Sequence, residues 1–319
     1  ASGTQAQWSI NEYLYDIDPL RWNFPILETA NKIVADAFAI KNIIPNVSSA
    51  IFRNPGPLEL LQDPKWKEMQ ICGDWIFYLN LIRGGVLAYS PEACNYYRIH
   101  GENTSVKTYS QDVYYLEHEL VAKVVQKYYR VDLDVFRRQR DILIAHWRES
   151  RPSYSDSDFE ACYSLSRIDV ASSECEPNLL MASYGFCTGG GESFPIALAN
   201  LMKSLGYNVT YLDCAQETRN EGVRRNLRID IPIVSDFSQL ERIVVDFGID
   251  LIHSHHAWVD STILDVLPEN LRCKTIVTLH GMYETINNVD LKFILPRLVQ
   301  RSARLVYVAD KNLSVLDSH

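Results

Sequence analysis

From Asn178 to the end of the chain, short apolar runs alternate with stretches of helical periodicity. The runs are "NLLMASY", "VTYL", "IPIV", "LIHSH", "TIVTL" and "RLVYVA". The helical patterns lie near 194–205, 239–247, 260–267 and 291–301. Strands this apolar must be covered on both faces, and the intervening helices supply the cover. The alternation therefore predicts βαβ units, a parallel sheet and right-handed crossovers. A last helix, capped by Asp310, has barely begun when the chain stops at His319.

The first strand of this series runs into "SYGFCTGGGESFPIALANLMKSLGYNV", with three consecutive glycines, Gly189 to Gly191, directly before a helix. Backbone N–H groups at a helix N-terminus attract anions, and glycine lets a phosphate or sugar approach without a Cβ in the way. The stretch reads as a ligand loop at the carboxyl edge of the sheet; the plainer alternative is a tight strand–helix turn. Three known loop chemistries fit only in part. The dinucleotide fingerprint GxGxxG matches at Gly189 and Gly191 but meets Phe194 where the third glycine belongs, although Asp213 sits where a ribose-binding acid would. The nucleophile elbow GxSxG matches at Gly191 and Ser193 but ends in Pro195. A phosphate-binding P-loop would need a Lys-Ser/Thr pair that is not there.

The preceding residues have a different texture. They are rich in Trp and Tyr and show no βα alternation. Periodicity predicts helices near Pro25–Ala39, after Gly73, over Gln111–Tyr129 and over about Val135–Trp147, and strands near Ser48–Phe52 and at "VLAYSPE". Residues 151–177, with many Ser, Asp and Glu, read as a linker containing one short helix. The expected organisation is a first domain over 1–130, a helical linker over 131–177 and a Rossmann-like domain over 178–319, within a mixed α/β fold class.

Charge narrows the function. The formal net charge is −9 and both halves are acidic, which excludes a basic nucleic-acid-binding stripe. No apolar run reaches the roughly 20 residues of a membrane span. The seven cysteines show no CxxC spacing, which predicts reduced thiols and a cytoplasmic setting. Asn-x-Ser/Thr triplets at Asn46 and Asn208 are then chance.

Three stretches of the second half, in consistent order, resemble a family 4 glycosyltransferase. They are "GGGESFPIALANLMKSLGYNVTYL", "IDLIHSHHAWVDS" and "KTIVTLHGMYE". The resemblance implies the amino-terminal domain of a GT-B fold, with a glycine loop after its first strand. It also implies that His280 lies beside the donor sugar and phosphate. Gly189, Gly190, Gly191, Glu192 and His256 become candidate donor contacts. A histidine suits the place, since it can hydrogen-bond a pyrophosphate or a sugar hydroxyl and stays tunable near neutral pH. The alternative for His280 is a structural residue closing a strand. His253 and His255 share one face of a strand and read better as core. A zinc site from His253, His255 and His256 would lack an evident fourth ligand.

In the first half, "ICGDWIFYLNLIRGGVLAYSPEACNYYRIHGENTSV", supported by "NIIPNVSSAIFR", resembles the acceptor-side half of a family 2, GT-A glycosyltransferase. That resemblance makes Asp74 the general base, Trp75 an aromatic platform for a sugar, and Arg98 a substrate contact. It makes His100 a candidate ligand for Mg²⁺ or Mn²⁺. A carboxylate at a helix start can take the proton from an attacking hydroxyl; it can equally serve only as a helix cap. The metal-binding Asp-x-Asp of that family has a spelling match at Asp16 and Asp18, without the nucleotide unit that should precede it.

The expectation is a hexosyltransferase of surface polysaccharide assembly, a piece of a longer two-enzyme chain. It would be cytoplasmic or peripheral at the inner membrane face. Its partners would be a nucleotide-sugar donor and a glycan or lipid-linked glycan acceptor. A divalent metal would serve the GT-A part and no cofactor the GT-B part. Two other classes stay open: an NAD(P)-binding oxidoreductase on the second domain, and a non-catalytic binding module.

Overall fold

The computed structural model describes residues 10–54, 58–92, 108–171, 175–215, 219–271 and 273–317. The chain divides into two units, Ala1–Cys175 and Glu176–His319. The division falls two residues before the sequence-based boundary at 178.

In the first unit, strand β1 (Ile26–Thr29) pairs antiparallel with β2 (Val86–Tyr89), Ile26 opposite Tyr89 and Thr29 opposite Val86. The expected helix over Pro25–Ala39 is thus half strand. Helix α1 (Ala30–Ile33) begins only where the Thr29 hydroxyl caps the Lys32 N–H, and it continues as a π-turn at Val34–Phe38. The strand expected at Ser48–Phe52 is instead a 3₁₀ turn at Val47–Ser49 capped by Asn46, with Ile51 fully exposed. Helices α2 (Gly73–Leu81), α3 (Asp112–Tyr128) and α4 (Leu133–Ser150) form where periodicity places them.

Residues 131–177 are not a separate linker. Two short helices, α5 (Asp156–Cys162) and α6 (Leu165–Ala171), follow α4. Phe136, Leu143, Trp147, Phe159, Tyr163 and Ile168 lie in one hydrophobic core with Trp22, Trp75 and Tyr115. The Ser and Asp residues that make this segment look like a linker include a capping box, Ser155 with Asp158, which starts α5. Burying these large apolar groups contributes about 1.5–3 kcal/mol each, which binds the segment to the first unit.

The second unit is a six-stranded, all-parallel sheet of order β5-β4-β3-β6-β7-β8. Its strands are β3 (Asn178–Ser183), β4 (Asn208–Asp213), β5 (Ile233–Val234), β6 (Leu251–Ser254), β7 (Lys274–Leu279) and β8 (Arg304–Tyr307). Helices α7 (Gly190–Ser204), α8 (Leu240–Asp246), α9 (Ala257–Val266) and α10 (Asn288–Arg301) connect them. β3 and β4 are buried along their whole length, as strands covered on both faces must be. The cap expected from Asp310 comes from Asn312, whose side-chain oxygen accepts the Ala309 N–H. From β3 the chain runs outward to β4 and β5, then returns to β6 on the other side of β3. The order reverses between β3 and β6, and in such sheets a crevice opens outside the strand carboxyl ends at this reversal. The fold class is therefore mixed α/β with a Rossmann-like parallel sheet, as the alternation predicts.

Candidate functional site

The crevice at the reversal is a cleft of about 210 Å³. Tyr184, Gly191 and Glu192 line it from the β3 side, His255 and His256 from the end of β6, and His280, Gly281 and Met282 from the end of β7. Three sequence stretches that lie far apart in the chain meet here because parallel strands bring their carboxyl ends to one edge.

The glycines do not serve the backbone's shape. Among the described residues the glycines with positive φ are Gly84, Gly206 and Gly248. Gly189 is extended, with φ of 172°, and Gly190 and Gly191 already belong to α7. A Cβ built on Gly190 or Gly191 would meet nothing within 4 Å; one on Gly189 would run into the Glu192 carboxylate. Bare backbone at the start of a helix thus faces open space, where the first N–H groups have no partner within the helix. A simple turn has no need of this arrangement.

The histidines are tied to one another. His253 Nε2 lies 2.8 Å from the Thr278 hydroxyl. His255 is 2% exposed, with Nε2 at 3.1 Å from Met181 Sδ and Nδ1 at 3.3 Å from His280 Nε2. His256 caps α9 through Nδ1, which accepts the Trp258 N–H, and its ring stacks on Tyr184 at 4.7 Å. Burial pushes the pKa values of His253 and His256 down to about 4. It pushes His255 far below the histidine range, the charges of His253 and His280 adding to the effect. Burial also lowers His280, while the Glu192 carboxylate opposes it. At neutral pH the cluster is uncharged, so it offers hydrogen bonds rather than a cationic patch.

Of the two histidines read as core, His255 is buried but also lines the cleft, and His253 is only partly buried. His253, His255 and His256 do not assemble a zinc site, since the nitrogens of His255 are directed at Met181 and His280. Among the described residues no group of three or more His, Cys, Asp or Glu is arranged to hold a metal ion. The described cysteines form no disulfide with one another. Asp213 is fully buried and ion-paired with Arg219, at 2.6 Å and 2.9 Å. Its burial, rather than the pairing of Oδ2, keeps it from a ribose, since Oδ1 has no hydrogen-bond partner among the described residues.

Asp260 was not anticipated. It is fully buried in the first turn of α9, and burial pushes its pKa up to about 7. Its carboxylate accepts the His256 N–H and the Tyr283 hydroxyl. The only trace in the sequence is a carboxylate four residues after His256; its partner Tyr283 is remote in the chain.

In the first unit, Asp74 is the second residue of α2 and is exposed. Its Oδ1 accepts the Trp75 N–H at 2.7 Å, and partial desolvation by the neighbouring residues raises its pKa from the ordinary aspartate value against that hydrogen bond. Trp75 cannot stack on a sugar as the resemblance implies. It is 3% exposed, stacked on Phe38, with its indole N–H donated to the Phe38 carbonyl. The loop leading into Asp74 is held by Glu117, a buried carboxylate that accepts the N–H groups of Gln70, Ile71 and Cys72 at 2.7–2.8 Å. Asp16 pairs with Lys41, and Asp18 accepts the N–H groups of Leu20 and Arg21. Both are engaged within the fold, so they do not fit the metal motif whose spelling they share. Arg98 and His100 lie outside the described residues. None of the described helices is long and apolar enough to cross a membrane.

Neither the curated proteins nor the solved structures gave a match to the chain. Residues 188–316 match the family model for Glycosyltransferase Family 4, from the glycine stretch through β8. The second unit is accordingly similar to a GT-B-type domain, and the match indicates a glycosyltransferase-family domain in this chain.

Proposed function

We propose that the chain transfers a hexosyl group from a nucleotide-sugar, with the donor seated in the second unit's cleft. One observation carries this reading: the glycine-bare N-terminus of α7 and the ring of His280 line the same cleft, inside the segment that matches Glycosyltransferase Family 4. Transfer breaks the bond between the anomeric carbon and the diphosphate oxygen, and the acceptor oxygen bonds to that carbon. The electron pair leaves on the diphosphate, so negative charge builds there. Unpaired N–H groups at the α7 N-terminus suit that charge, and they need no reorganisation to meet it. Neutral His280 and His256 add hydrogen bonds without the cost of burying a cation.

For the first unit the reading is the acceptor-side half of a GT-A enzyme, with Asp74 taking the proton from the attacking hydroxyl. The raised pKa of Asp74 supports this role, because a base poised nearer neutrality transfers protons more effectively. Mg²⁺ or Mn²⁺ would belong to this half. The described residues do not fit it, and no step is derived through it. A role in surface polysaccharide assembly, and a cytoplasmic place at the inner membrane face, complete the proposal.

Titration of the ¹⁵N-labelled chain with UDP-glucose and GDP-mannose tests the donor site. The amides of Gly190, Gly191 and Gly281 should move. Movement confined to the surroundings of Asp213, and produced by NAD⁺ instead, would overturn the reading.

A further inference from the structure

His255 is placed as a wire between an atom that can only accept and a ring that lines the cleft. Its Nε2 lies 3.1 Å from Met181 Sδ, and its Nδ1 lies 3.3 Å from His280 Nε2. A thioether sulfur has no proton to give, so the His255 nitrogen facing it must carry the hydrogen. The opposite arrangement would press two lone pairs together in a site that is 2% exposed. A neutral imidazole has one N–H and one lone pair. With Nε2 protonated, Nδ1 of His255 is an acceptor, and His280 must donate to it from Nε2. The remaining nitrogen of His280, Nδ1, is then the one with the lone pair.

The surroundings keep this order. The His255 ring packs against His253 at 4.2 Å and Phe194 at 5.6 Å, which holds it in place. Phe194 also meets the His280 ring, at 5.8 Å. Burial disfavours the charged form of His255, so near neutral pH it does not gain a second N–H.

We propose that His255 is a positioning residue that sets the tautomer of His280, so that neutral His280 presents an accepting Nδ1 to a hydroxyl of the sugar carried by the bound nucleotide. A bare phosphate oxygen, which only accepts, finds no partner in that nitrogen. The two ligand chemistries open to a cleft histidine are thereby separated, and the diphosphate is left to the α7 N-terminus. The ligand half rests on the nucleotide-sugar reading; the tautomer half does not.

The test begins with the free chain labelled with ¹⁵N-histidine. Two-bond ¹H–¹⁵N correlations distinguish protonated from unprotonated ring nitrogens, and His280→Gln assigns the residue. His280 should show a protonated Nε2 and an unprotonated Nδ1. His255→Leu should turn this into a mixture of tautomers. His255→Gln should restore the single pattern, since a carboxamide can accept from His280 and donate to Met181. Should His255→Leu not fold, Met181→Leu removes the sulfur at similar volume and should give the same mixing. A proton on Nδ1 in the wild type, or an unchanged pattern in the folded variant, overturns the tautomer half. UDP-glucose should then shift His280 Nδ1, and UDP alone should leave it in place. An equal shift with UDP overturns the hydroxyl assignment. If neither compound moves any cleft resonance, the donor-site reading fails and takes the hydroxyl half with it, with the tautomer already decided in the free chain.

Discussion

The Tyr283 hydroxyl donates to Asp260 Oδ2 at 2.5 Å, and both side chains are fully buried. The other carboxylate oxygen accepts the backbone N–H of His256 at 3.3 Å. The Tyr283 N–H in turn donates to the His280 carbonyl at 3.3 Å. One carboxylate thus joins the turn that carries His256 to the turn that carries His280, and holds the two walls of the cleft at a set distance.

Tyr283→Phe removes the hydroxyl and leaves the carboxyl oxygen buried without that donor. The expected loss is about 1–3 kcal/mol of stability, measured as a lower urea midpoint at unchanged slope. Asp260→Asn alone should also cost stability, and the double variant should cost less than the two singles together, because the pair acts as a unit. Strict additivity in that cycle would mean that the two residues do not cooperate.

Acidity gives a second handle on the same unit. For His253 and His256 the folded pKa, about 4, lies below the ordinary value of 6.5. Below pH 6.5 the unfolded chain therefore binds more protons than the folded one, and stability is lost as pH falls from about 6.5 to about 4. Asp260 has the opposite sign. Its folded pKa, about 7, lies above the ordinary 3.8, so its share of stability is fully present below pH 3.8 and is lost as pH rises towards 7. Asp260→Asn should abolish that second trend: the variant should gain on the wild type as pH rises from about 4 to about 7, by an amount on the order of a few kcal/mol. Urea midpoints of both proteins at intervals across that range decide the matter; parallel curves would show that Asp260 does not titrate in this window.

The glycine stretch predicts a separation of binding from stability. Gly191 has no positive φ, and a Cβ there enters open space. Gly191→Leu should leave the melting temperature nearly unchanged, since surface substitutions of this kind stay within about 0.5 kcal/mol. The same side chain projects towards the cleft and should weaken UDP-glucose binding by at least about tenfold, an effect calorimetry can read. Gly206, with φ of 90°, should behave in reverse. Gly206→Ala forces a side chain into the left-handed region and should destabilise by about 1 kcal/mol or more while binding follows the folded fraction.

How much of this was legible beforehand depended on whether the signal was local. Strand–helix alternation after Asn178 is a local pattern, and the sheet followed from it almost element by element. The meeting of Gly191, His256 and His280 was also accessible, because in a parallel sheet every strand delivers its carboxyl end to the same edge. The first unit was harder. Thr29 stops a helical pattern by capping it, and the strand before it exists only because β2 is there to pair with, about 60 residues later. Trp75 was expected to face a sugar only because of the family 2 resemblance, yet Phe38 supplies both a ring and a carbonyl for it. Residues 131–177 looked like a linker because their apolar residues are diluted by polar ones, although their spacing is that of a buried helical face. Asp260 and Glu117 were invisible, since a buried carboxylate is defined by partners that the sequence does not place beside it.

Asp74 carries the last prediction, and its neighbours supply the controls. Asp74→Asn keeps a side-chain oxygen that can accept the Trp75 N–H, so the fold should survive. If Asp74 is the base, transfer by the first unit should fall at least about 100-fold, the low end of general-base contributions. Trp75→Ala should act differently. It empties a core position beside Phe38 and should cost about 3–5 kcal/mol, with activity lost only as the protein unfolds. Glu117→Gln tests whether position matters. It keeps one oxygen for three N–H groups that now share a carboxylate, which should loosen the entry to α2. Its turnover should fall while the pH dependence keeps the Asp74 limb, because the base is displaced but still present. If Asp74→Asn transfers within a few-fold of the wild type, the carboxylate only begins a helix, and the base for the first unit must be sought elsewhere.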